Sequence, residues 1–296
     1  MDTIYCYNPL FNYLVNMFCR NGKPLPGNYV TANNEFSNKY IYNINDDIHS
    51  KKALQHFSGQ YFFPETFFSM EKFNSTKTDS LFFLKSYLKD NASGIKILDH
   101  KSVPPLVPAN HLLQTEIKSK LYNQRKFDIR VLLCVKRTGD IMIYKNLLYR
   151  INPNIFVEQK DNPQLSNYLT NTILFKDMAM SFFDKLHPNE FDTKDYLQQI
   201  SSIVPIIYSK LLPISNSGYP HDIEHSFMFG GLDFIPRKQD NKLFFMELNL
   251  TPGWNGALGI ENYQKFYQLA TNFILGKDQN TDDCIYISLS DLKEKV

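Results

Sequence analysis

The stretch KFDIRVLLCV (residues 126–135) decides how the chain is expected to fold. Its apolar side chains alternate with Asp128 and Arg130 and then become continuous, which is typical of a strand buried in a sheet. The turn KRTGD and a second apolar run, IMIYKNLLYR (residues 141–150), follow directly. Gly139 supplies the backbone freedom that a tight turn needs, so the two runs are predicted to form a β-hairpin.

One face of this hairpin is expected to carry charge. Successive side chains of a strand point to opposite faces, so Asp128 and Arg130 lie opposite Phe127 and Ile129. Arg150 ends the partner strand. Two arginines directed into one cleft could hold a transferring phosphoryl group, because fixed guanidinium forks suit its spread negative charge. The alternative is a surface ion pair between Asp128 and Arg130, which would contribute little to stability.

A second hairpin is predicted from GGLDFIPR to KLFFMELNL. Alternation places Glu247 and Asn249 on one face, and the pairing can bring Asp233 beside them. Two carboxylates and an amide oxygen are hard ligands that suit Mg²⁺, which proteins hold with few groups plus substrate phosphates. The alternative interpretation is a solvated polar face on a half-exposed sheet.

Upstream, SLFFLK (residues 80–85) and IKIL (residues 95–98) predict two strands joined by a loop that closes at Gly94. Lys85 ends the first strand and could reach the phosphates of a nucleotide covered by the loop, although an ordinary lysine also fits this place. The proline-rich segment 102–110 is predicted to be a linker and a candidate hinge, because proline cannot donate to a ladder.

The remaining periodicity is mostly helical. Residues 174–212 repeat apolar side chains at helical spacing, which predicts two helices, and residues 263–275 predict a closing helix. Residues 1–60 are polar and rich in asparagine, and we expect a small α/β lobe there.

Composition is that of a soluble protein with a core. The 296 residues suggest two or three subdomains, and 43% hydrophobic with 21% charged residues is ordinary for this class. The net charge of +2 does not by itself indicate nucleic acid. Four scattered cysteines argue against a zinc knuckle or a disulfide framework. We recognise no signal peptide and no apolar run of about 20 residues, so a cytoplasmic protein is expected.

Nine short motifs then follow in an order that resembles the tubulin–tyrosine ligase-like family. They are PETF, FFLK, SGIKIL, LLQTEI, KFDIR, LLYR, YLTN, GLDF and ELNLTPG. Each motif is weakly specific, whereas their order, from about residue 61 to 254, is strongly specific. Tyr168 stands where the family usually has histidine, and Gly253 and Trp254 stand where a serine commonly follows the proline. The spacing from Lys85 to Gly94 lacks the family's usual run of small residues.

The resemblance implies an α+β (α/β) ATP-grasp fold of three lobes, with ATP between the central and C-terminal lobes. Residues 1–60 would form the N-terminal lobe, 61–112 the central lobe and 113–296 the C-terminal lobe. The implied activity is an ATP- and Mg²⁺-dependent ligase. It would join an amino acid (tyrosine, glutamate or glycine) to a protein-tail carboxylate through an acyl phosphate.

The resemblance also implies a role for each matching residue. The implied ATP contacts are Lys85, Gln114, Glu116, Ile117, Lys126, Asp128, Thr170 and Asn171, with Gln114 and the backbone of Glu116 and Ile117 at the adenine. The implied catalytic residues are Arg130, Arg150 and Glu247, with Arg150 also at the amino-acid substrate. The implied metal ligands are Asp233, Glu247 and Asn249.

A basic stretch points to the partner. Residues 118–137 hold seven basic side chains against one acidic side chain, Asp128; they are Lys118, Lys120, Arg125, Lys126, Arg130, Lys136 and Arg137. Such a concentration would steer an acidic protein tail, of which tubulin is one candidate, although a solvated basic face is the alternative.

Three other functions stay open. They are a different ATP-grasp ligase or kinase acting on a small molecule, a non-catalytic nucleotide-binding module, and a nucleic-acid binder that uses the basic stretch. The intact Asp233, Glu247 and Asn249 argue against the non-catalytic module. We expect no membrane partner.

Overall fold

The computed structural model describes most of the chain, and the statements below concern those residues. They are 4–5, 40–42, 51–89, 94–158, 163–170, 180–182, 192–216, 226–249, 260–274, 276 and 281–293. Predictions that fall on other residues, such as Asn171 and Gly253, lie outside the described part of the chain.

The described residues contain fourteen strands and four α-helices, a mixed arrangement compatible with the predicted α+β class. The strands are β1 (Ile4–Tyr5), β2 (Tyr40–Tyr42), β3 (Thr66–Phe67), β4 (Phe82–Ser86), β5 (Ile95–Leu98), β6 (His111–Thr115), β7 (Leu121–Tyr122), β8 (Arg125–Lys136), β9 (Asp140–Tyr144), β10 (Leu148–Ile151), β11 (Met180–Phe182), β12 (Ser226–Pro236), β13 (Leu243–Asn249) and β14 (Cys284–Ser288). The helices are α1 (Leu165–Tyr168), α2 (Thr193–Asn216), α3 (Ile260–Ile274) and α4 (Leu289–Lys293). Short 3₁₀ segments cover Lys51–Phe57 and His100–Ser102.

Ten of these strands form the larger sheet, whose centre is the antiparallel pair of β8 and β12. On the far side of β8, β9 and β10 pair with it in succession. The hairpin predicted around the KRTGD turn is therefore confirmed. The apolar run after the turn, residues 141–150, forms two strands (β9 and β10) rather than one. The second predicted hairpin is confirmed as β12 and β13.

The smaller sheet has four strands in the order β3, β6, β4, β5, with every neighbouring pair antiparallel. The predicted strand–loop–strand unit is confirmed as β4 and β5. The proline-rich segment connects β5 to β6 without a strand of its own, as a linker should, and its role as a hinge stays a prediction. The division of the chain into three lobes also stays a prediction.

The helical prediction for residues 174–212 is wrong at residues 180–182, while residues 174–179 and 183–191 lie outside the described part of the chain. Residues 180–182 form β11, which pairs with Leu148–Arg150 of β10, and α2 is a single helix. The backbone groups on the outer edge of β10 require hydrogen-bond partners, and β11 supplies them. This pairing outweighs the helical spacing of the local apolar residues. The helix predicted near the C-terminus is confirmed as α3, although β14 and α4 follow it.

The main core lies between α2 and one face of β8. Alternate β8 side chains point into it, and they are Phe127, Ile129, Val131, Leu133 and Val135. The matching side chains of α2 are Tyr196, Ile200, Ile203, Val204, Ile207, Tyr208 and Leu211. Because strand side chains alternate, Asp128 and Arg130 are left on the opposite face of the sheet. The core thus fixes where the charged residues lie.

A β-bulge at Met246 sets the faces of β13. Asp233 lies opposite Glu247 and Phe234 lies opposite Phe245, so Met246 is the extra residue. Strict alternation would put Phe245 on the same face as Glu247. The bulge lets Phe245 enter the core, where its ring lies 5.8 Å from that of Phe234, while Glu247 keeps the face of Asp233.

Gly230 packs so closely against the core that no side chain should fit. A Cβ at this position would lie 2.8 Å from Tyr208 Oη and 2.9 Å from Leu133 Cδ1. We predict that Gly230→Ala lowers the free energy of unfolding by about 1–3 kcal/mol, the usual cost of overpacking a core. Urea denaturation followed by fluorescence measures it.

The variant Tyr208→Phe tests the cause. Within the described residues, the Tyr208 hydroxyl is buried without a hydrogen-bond partner, so its removal alone should cost little. The double variant of Gly230→Ala and Tyr208→Phe should recover part of the lost stability. An equal loss in the single and double variants would show that the Tyr208 contact does not exclude a side chain at position 230.

Candidate functional site

Four buried charges lie together on the face of the larger sheet opposite α2. Asp128 and Arg130 come from β8, Arg150 from β10 and Asp233 from β12. The register places Arg150 directly opposite Asp128 and Asp233 directly opposite Arg130. Residues opposite one another on paired strands have neighbouring side chains, so the strand order itself brings these four groups together.

The four groups form an alternating chain of ion pairs. Arg130 donates to Asp233 through Nε and Nη2, at 2.7 and 2.8 Å. Arg150 donates to Asp128 in the same two-pronged way, at 2.6 and 2.7 Å. Arg150 Nη2 also lies 2.8 Å from Asp233 Oδ2. The alternative of a surface pair between Asp128 and Arg130 is therefore wrong: both charges are buried and each pairs across strands.

Glu247 and Asn249 extend this chain along β13. The amide nitrogen of Asn249 donates to Asp233 Oδ2 at 3.0 Å and to Glu247 Oε1 at 3.2 Å. The three predicted metal ligands therefore lie together on one face. Within the described residues, no group of three His, Cys, Asp or Glu side chains could hold a metal ion. A divalent cation here would need the Asn249 amide oxygen and outside ligands such as phosphates to complete its coordination.

The two carboxyl groups opposite each other differ in acidity. Burial raises the pKa of Asp233, but Arg130 and Arg150 outweigh burial and hold that pKa below its ordinary value. Burial and the neighbouring Asp233 carboxylate raise the pKa of Glu247. Glu247 therefore takes up a proton first as the pH falls, and a cation bound by its carboxylate would compete with that proton.

Lys85 faces this cluster from the smaller sheet. Its Nζ donates to Gln114 Oε1 at 2.7 Å, and Gln114 Nε2 donates to Thr66 Oγ1 at 3.2 Å. Burial lowers the pKa of Lys85 to about 8, while the charge of Glu247 raises it and that of Lys51 lowers it. Because Glu247 acts on the pKa of Lys85, the two predicted groups lie close enough for their charges to interact, although they belong to different sheets.

Lys126 lies in a separate buried pocket beside β7. Its Nζ is 3.1 Å from Glu116 Oε1, and it sits 4.4 Å above the ring centre of Phe156 and 4.5 Å above that of Tyr168. Rings attract a cation at such distances, so this lysine is held in place. The Glu116 carboxylate is engaged by Lys126, and the Glu116 backbone N–H donates to the Leu81 carbonyl oxygen at 2.8 Å, so a ligand contact at this residue falls to the backbone carbonyl.

Thr170 and Asn152 join this pocket to the charged cluster. Thr170 Oγ1 donates to an Asp128 carboxylate oxygen. The Asn152 amide donates to the carbonyl oxygens of Ser166 and Leu169, at 2.7 Å each, and so fixes the segment that carries Thr170. Asn171 lies outside the described residues.

Sequence reasoning missed Lys51, Thr66, Asn152 and Phe156. Asn152 precedes a proline, and this pair is a turn signal that could have marked the segment. Thr66 lies within the PETF motif, which carried no predicted site residue. Lys51 and Phe156 contribute through contacts between distant parts of the chain, and no local pattern marks them.

The basic stretch does not form one exposed face. Lys126, Arg130 and Arg137 are buried, and the first two have the carboxylate partners described above. The Lys118 side chain is 48% exposed and pairs with Glu116 and Glu158.

A match to a protein family covers most of the chain. The sequence model of the tubulin-tyrosine ligase family matches residues 18–265, well over half of the chain. No curated protein matches the chain. Among the described residues, no helix is long and apolar enough to cross a membrane. The family is ATP-grasp-like, uses ATP and a divalent metal in general, and consists of ATP-dependent ligases. The chain belongs to the tubulin-tyrosine ligase family.

Proposed function

We propose that the protein uses Mg²⁺ and ATP to join an amino acid to a carboxylate of a protein tail, releasing ADP and phosphate. The observation that carries this proposal is the buried cluster in which Arg130 and Arg150 converge on Asp233, with Lys85 facing it from the other sheet. Phosphoryl transfer requires groups of these kinds: carboxylates bind a metal, arginines stabilise the phosphoryl group and a lysine contacts the phosphates.

Asp233, Glu247 and Asn249 would hold the Mg²⁺. Their donor set fits, because two carboxylates and an amide share one face and substrate phosphates can supply the missing oxygens. When bound, the cation would neutralise charge on the phosphates. Arg130 and Arg150 offset the charges of Asp128 and Asp233, so a cation bound here would be held mainly by the Glu247 carboxylate and the phosphates.

ATP would lie between the two sheets, in the cleft of a three-lobed ATP-grasp fold. Lys85 would contact its phosphates, and Lys126, Asp128, Thr170 and Asn171 would line the same nucleotide. Gln114 and the backbone of Glu116 and Ile117 lie at and just beyond the end of β6, where the adenine would be bound. The side chain and the backbone N–H of Glu116 are already engaged, so an adenine contact at this residue would use the backbone carbonyl.

The chemistry then follows in two steps. A carboxylate oxygen of the acceptor attacks the γ-phosphorus, and the bond from phosphorus to ADP breaks. The amine of the incoming amino acid attacks the resulting acyl carbon, phosphate leaves with the former carboxylate oxygen, and the nitrogen loses a proton. Arg130 stabilises the transferring phosphoryl group, and Arg150 binds the amino-acid carboxylate. Both arginines are buried, and exclusion of water from this part of the site would protect the acyl phosphate from hydrolysis.

The acceptor would be an acidic tail, and tubulin is one candidate. The family match supports this choice. The basic stretch adds little long-range attraction, because Glu116 and Glu158 offset the charge of the half-exposed Lys118.

The substitution Glu247→Gln tests the metal site and the reaction together. The isostere keeps the shape but cannot donate a charged oxygen, so turnover should fall about 100-fold or more. The assay follows phosphate release with ATP, Mg²⁺, pooled amino acids and an acidic tubulin-tail peptide, with the peptide's mass gain measured by mass spectrometry. Release should require both peptide and amino acid in the parent.

The matched control is Glu71→Gln, an exposed glutamate whose carboxylate accepts from the Phe68 N–H. It should retain parental turnover. If Glu247→Gln released phosphate within a few-fold of the parent at equal thermal stability, the metal assignment would be wrong. Phosphate release that needs neither peptide nor amino acid would contradict the ligase.

The pH dependence of ATP binding tests Lys85. Phosphates favour the charged lysine, so binding raises its pKa, and affinity should be full below about pH 8 and decline above it. Lys85→Met should weaken Mg-ATP binding about 10- to 100-fold at neutral pH and remove that decline. Calorimetry between about pH 7 and pH 10 measures both.

Lys96→Met, an exposed lysine on β5, should leave the profile unchanged. Parental affinity in Lys85→Met would exclude Lys85 from the site.

The substitution Arg150→Lys separates two roles. Lysine keeps the charge but loses the two-pronged contact with Asp128, so the change should be poorly tolerated. We expect the KM for the amino acid to rise about 10-fold or more with a smaller change in kcat. Arg237→Lys, which disturbs a similar fork on exposed Asp240, should be mild. A fall in kcat at fixed KM would give Arg150 the phosphoryl role, and no change in either would remove it from the site.

A further inference from the structure

The orientation of the Gln114 side chain is fixed by its neighbours. The single hydroxyl proton of Thr66 is donated to the Pro64 carbonyl oxygen at 2.8 Å. The Thr66 oxygen can therefore only accept from Gln114, so the amide end facing it must be the NH₂ group. The amide oxygen is then directed to the Lys85 ammonium, 2.7 Å away.

The three side chains share one face of the smaller sheet. Thr66 lies directly opposite Gln114 in the pairing of β3 and β6. Phe83 lies opposite Gln114 in the pairing of β4 and β6, so Lys85, two residues further along β4, is its diagonal neighbour. Gln114 is fully buried, and both ends of its amide are engaged. The hydrogen bonds thus cross three strands that cannot easily move apart.

We propose that Thr66 and Gln114 are positioning residues that hold the Lys85 ammonium in place for the nucleotide phosphates. The Pro64 carbonyl orients the Thr66 hydroxyl, the hydroxyl orients the Gln114 amide, and the amide oxygen holds the lysine. That Lys85 is positioned for phosphates rests on the proposed function, whereas the hydrogen bonds that position it do not. The Gln114 side chain then acts through Lys85, and contact with adenine is left to the backbone of Glu116 and Ile117.

A neutral acceptor suits this position better than a carboxylate. Lys85 has a long flexible side chain, and an amide oxygen restricts it without cancelling its charge. The ammonium therefore stays available to phosphates. The charged groups that act on it from neighbouring elements are Glu247 of β13 and Lys51 of the first 3₁₀ segment. Burial lowers the pKa of Lys85 to about 8, so its titration can be followed near neutral pH.

The test follows the titration of Lys85 in the nucleotide-free protein. Its ¹³Cε resonance is observed by NMR in lysine-labelled protein and assigned with Lys85→Arg. In Thr66→Val the acceptor of the amide is lost, so the oxygen is no longer held at the ammonium and Lys85 should titrate at lower pH. Thr66→Ser keeps the hydroxyl and should titrate like the parent. Gln114→Glu places a carboxylate at the ammonium and should raise the titration by about one to two pH units.

Thr115→Val is the matched control. Thr115 is a buried threonine next to Gln114, and its hydroxyl donates to Glu65 Oε2 at 3.2 Å. This variant should leave the Lys85 titration unchanged. The proposal is overturned if Thr66→Val titrates like the parent, if Thr66→Ser moves as far as Thr66→Val, or if Gln114→Glu fails to raise the titration. Gln114→Glu keeps the test decisive should Thr66→Val fail to fold.

Calorimetry separates this proposal from the proposed function. Thr66→Val should weaken Mg-ATP binding about 5-fold, the usual effect of one hydrogen bond, and leave the binding of adenosine alone unchanged. Weakened adenosine binding would instead give the Gln114 side chain a direct adenine contact and overturn the positioning role. A parent that binds no Mg-ATP, with Lys85 titrating as expected in all variants, would contradict the proposed function and leave the positioning role standing.

Discussion

Asp233 is a carboxylate that the fold buries in the middle of a sheet, and its neutralisation by Arg130 and Arg150 is the interaction on which the site depends. Removing a charge from water costs several kcal/mol unless close partners compensate it. The partners come from β8 and β10, so the sheet must bring three strands into one register. The same register places the remaining polar groups around Asp233.

This constraint links packing to chemistry. The apolar face of β8 packs on α2, so Asp128 and Arg130 lie on the opposite face of the larger sheet. The bulge at Met246 lets Phe245 pack in the core while Glu247 stays beside Asp233. Lys85 approaches from the other sheet, held by a neutral amide. A cleft with carboxylates on one side and an ammonium on the other suits a metal-bound polyphosphate, which carries both signs of charge.

Period-two alternation predicted much of this from the sequence. It gave both hairpins and the shared faces of Asp128 with Arg130 and of Glu247 with Asn249, because the face of a strand residue depends only on its neighbours. Pairing across strands was not predictable in this way. The partners of Arg150, the bulge, the split between β9 and β10 and the Thr66–Gln114 contact all depend on distant segments. Helical spacing misled at β11 for the same reason.

The central claim is that this cleft binds ATP with a divalent cation at Asp233, Glu247 and Asn249. A crystal structure of the protein with Mn²⁺ and a non-hydrolysable ATP analogue tests it most directly, because anomalous scattering locates the metal. We expect Mn²⁺ at about 2.0–2.4 Å from the carboxylate oxygens of Glu247 and from phosphate oxygens, with the Lys85 ammonium in contact with the same phosphates. Mn²⁺ or nucleotide bound away from the face shared by Asp233 and Glu247 would contradict it.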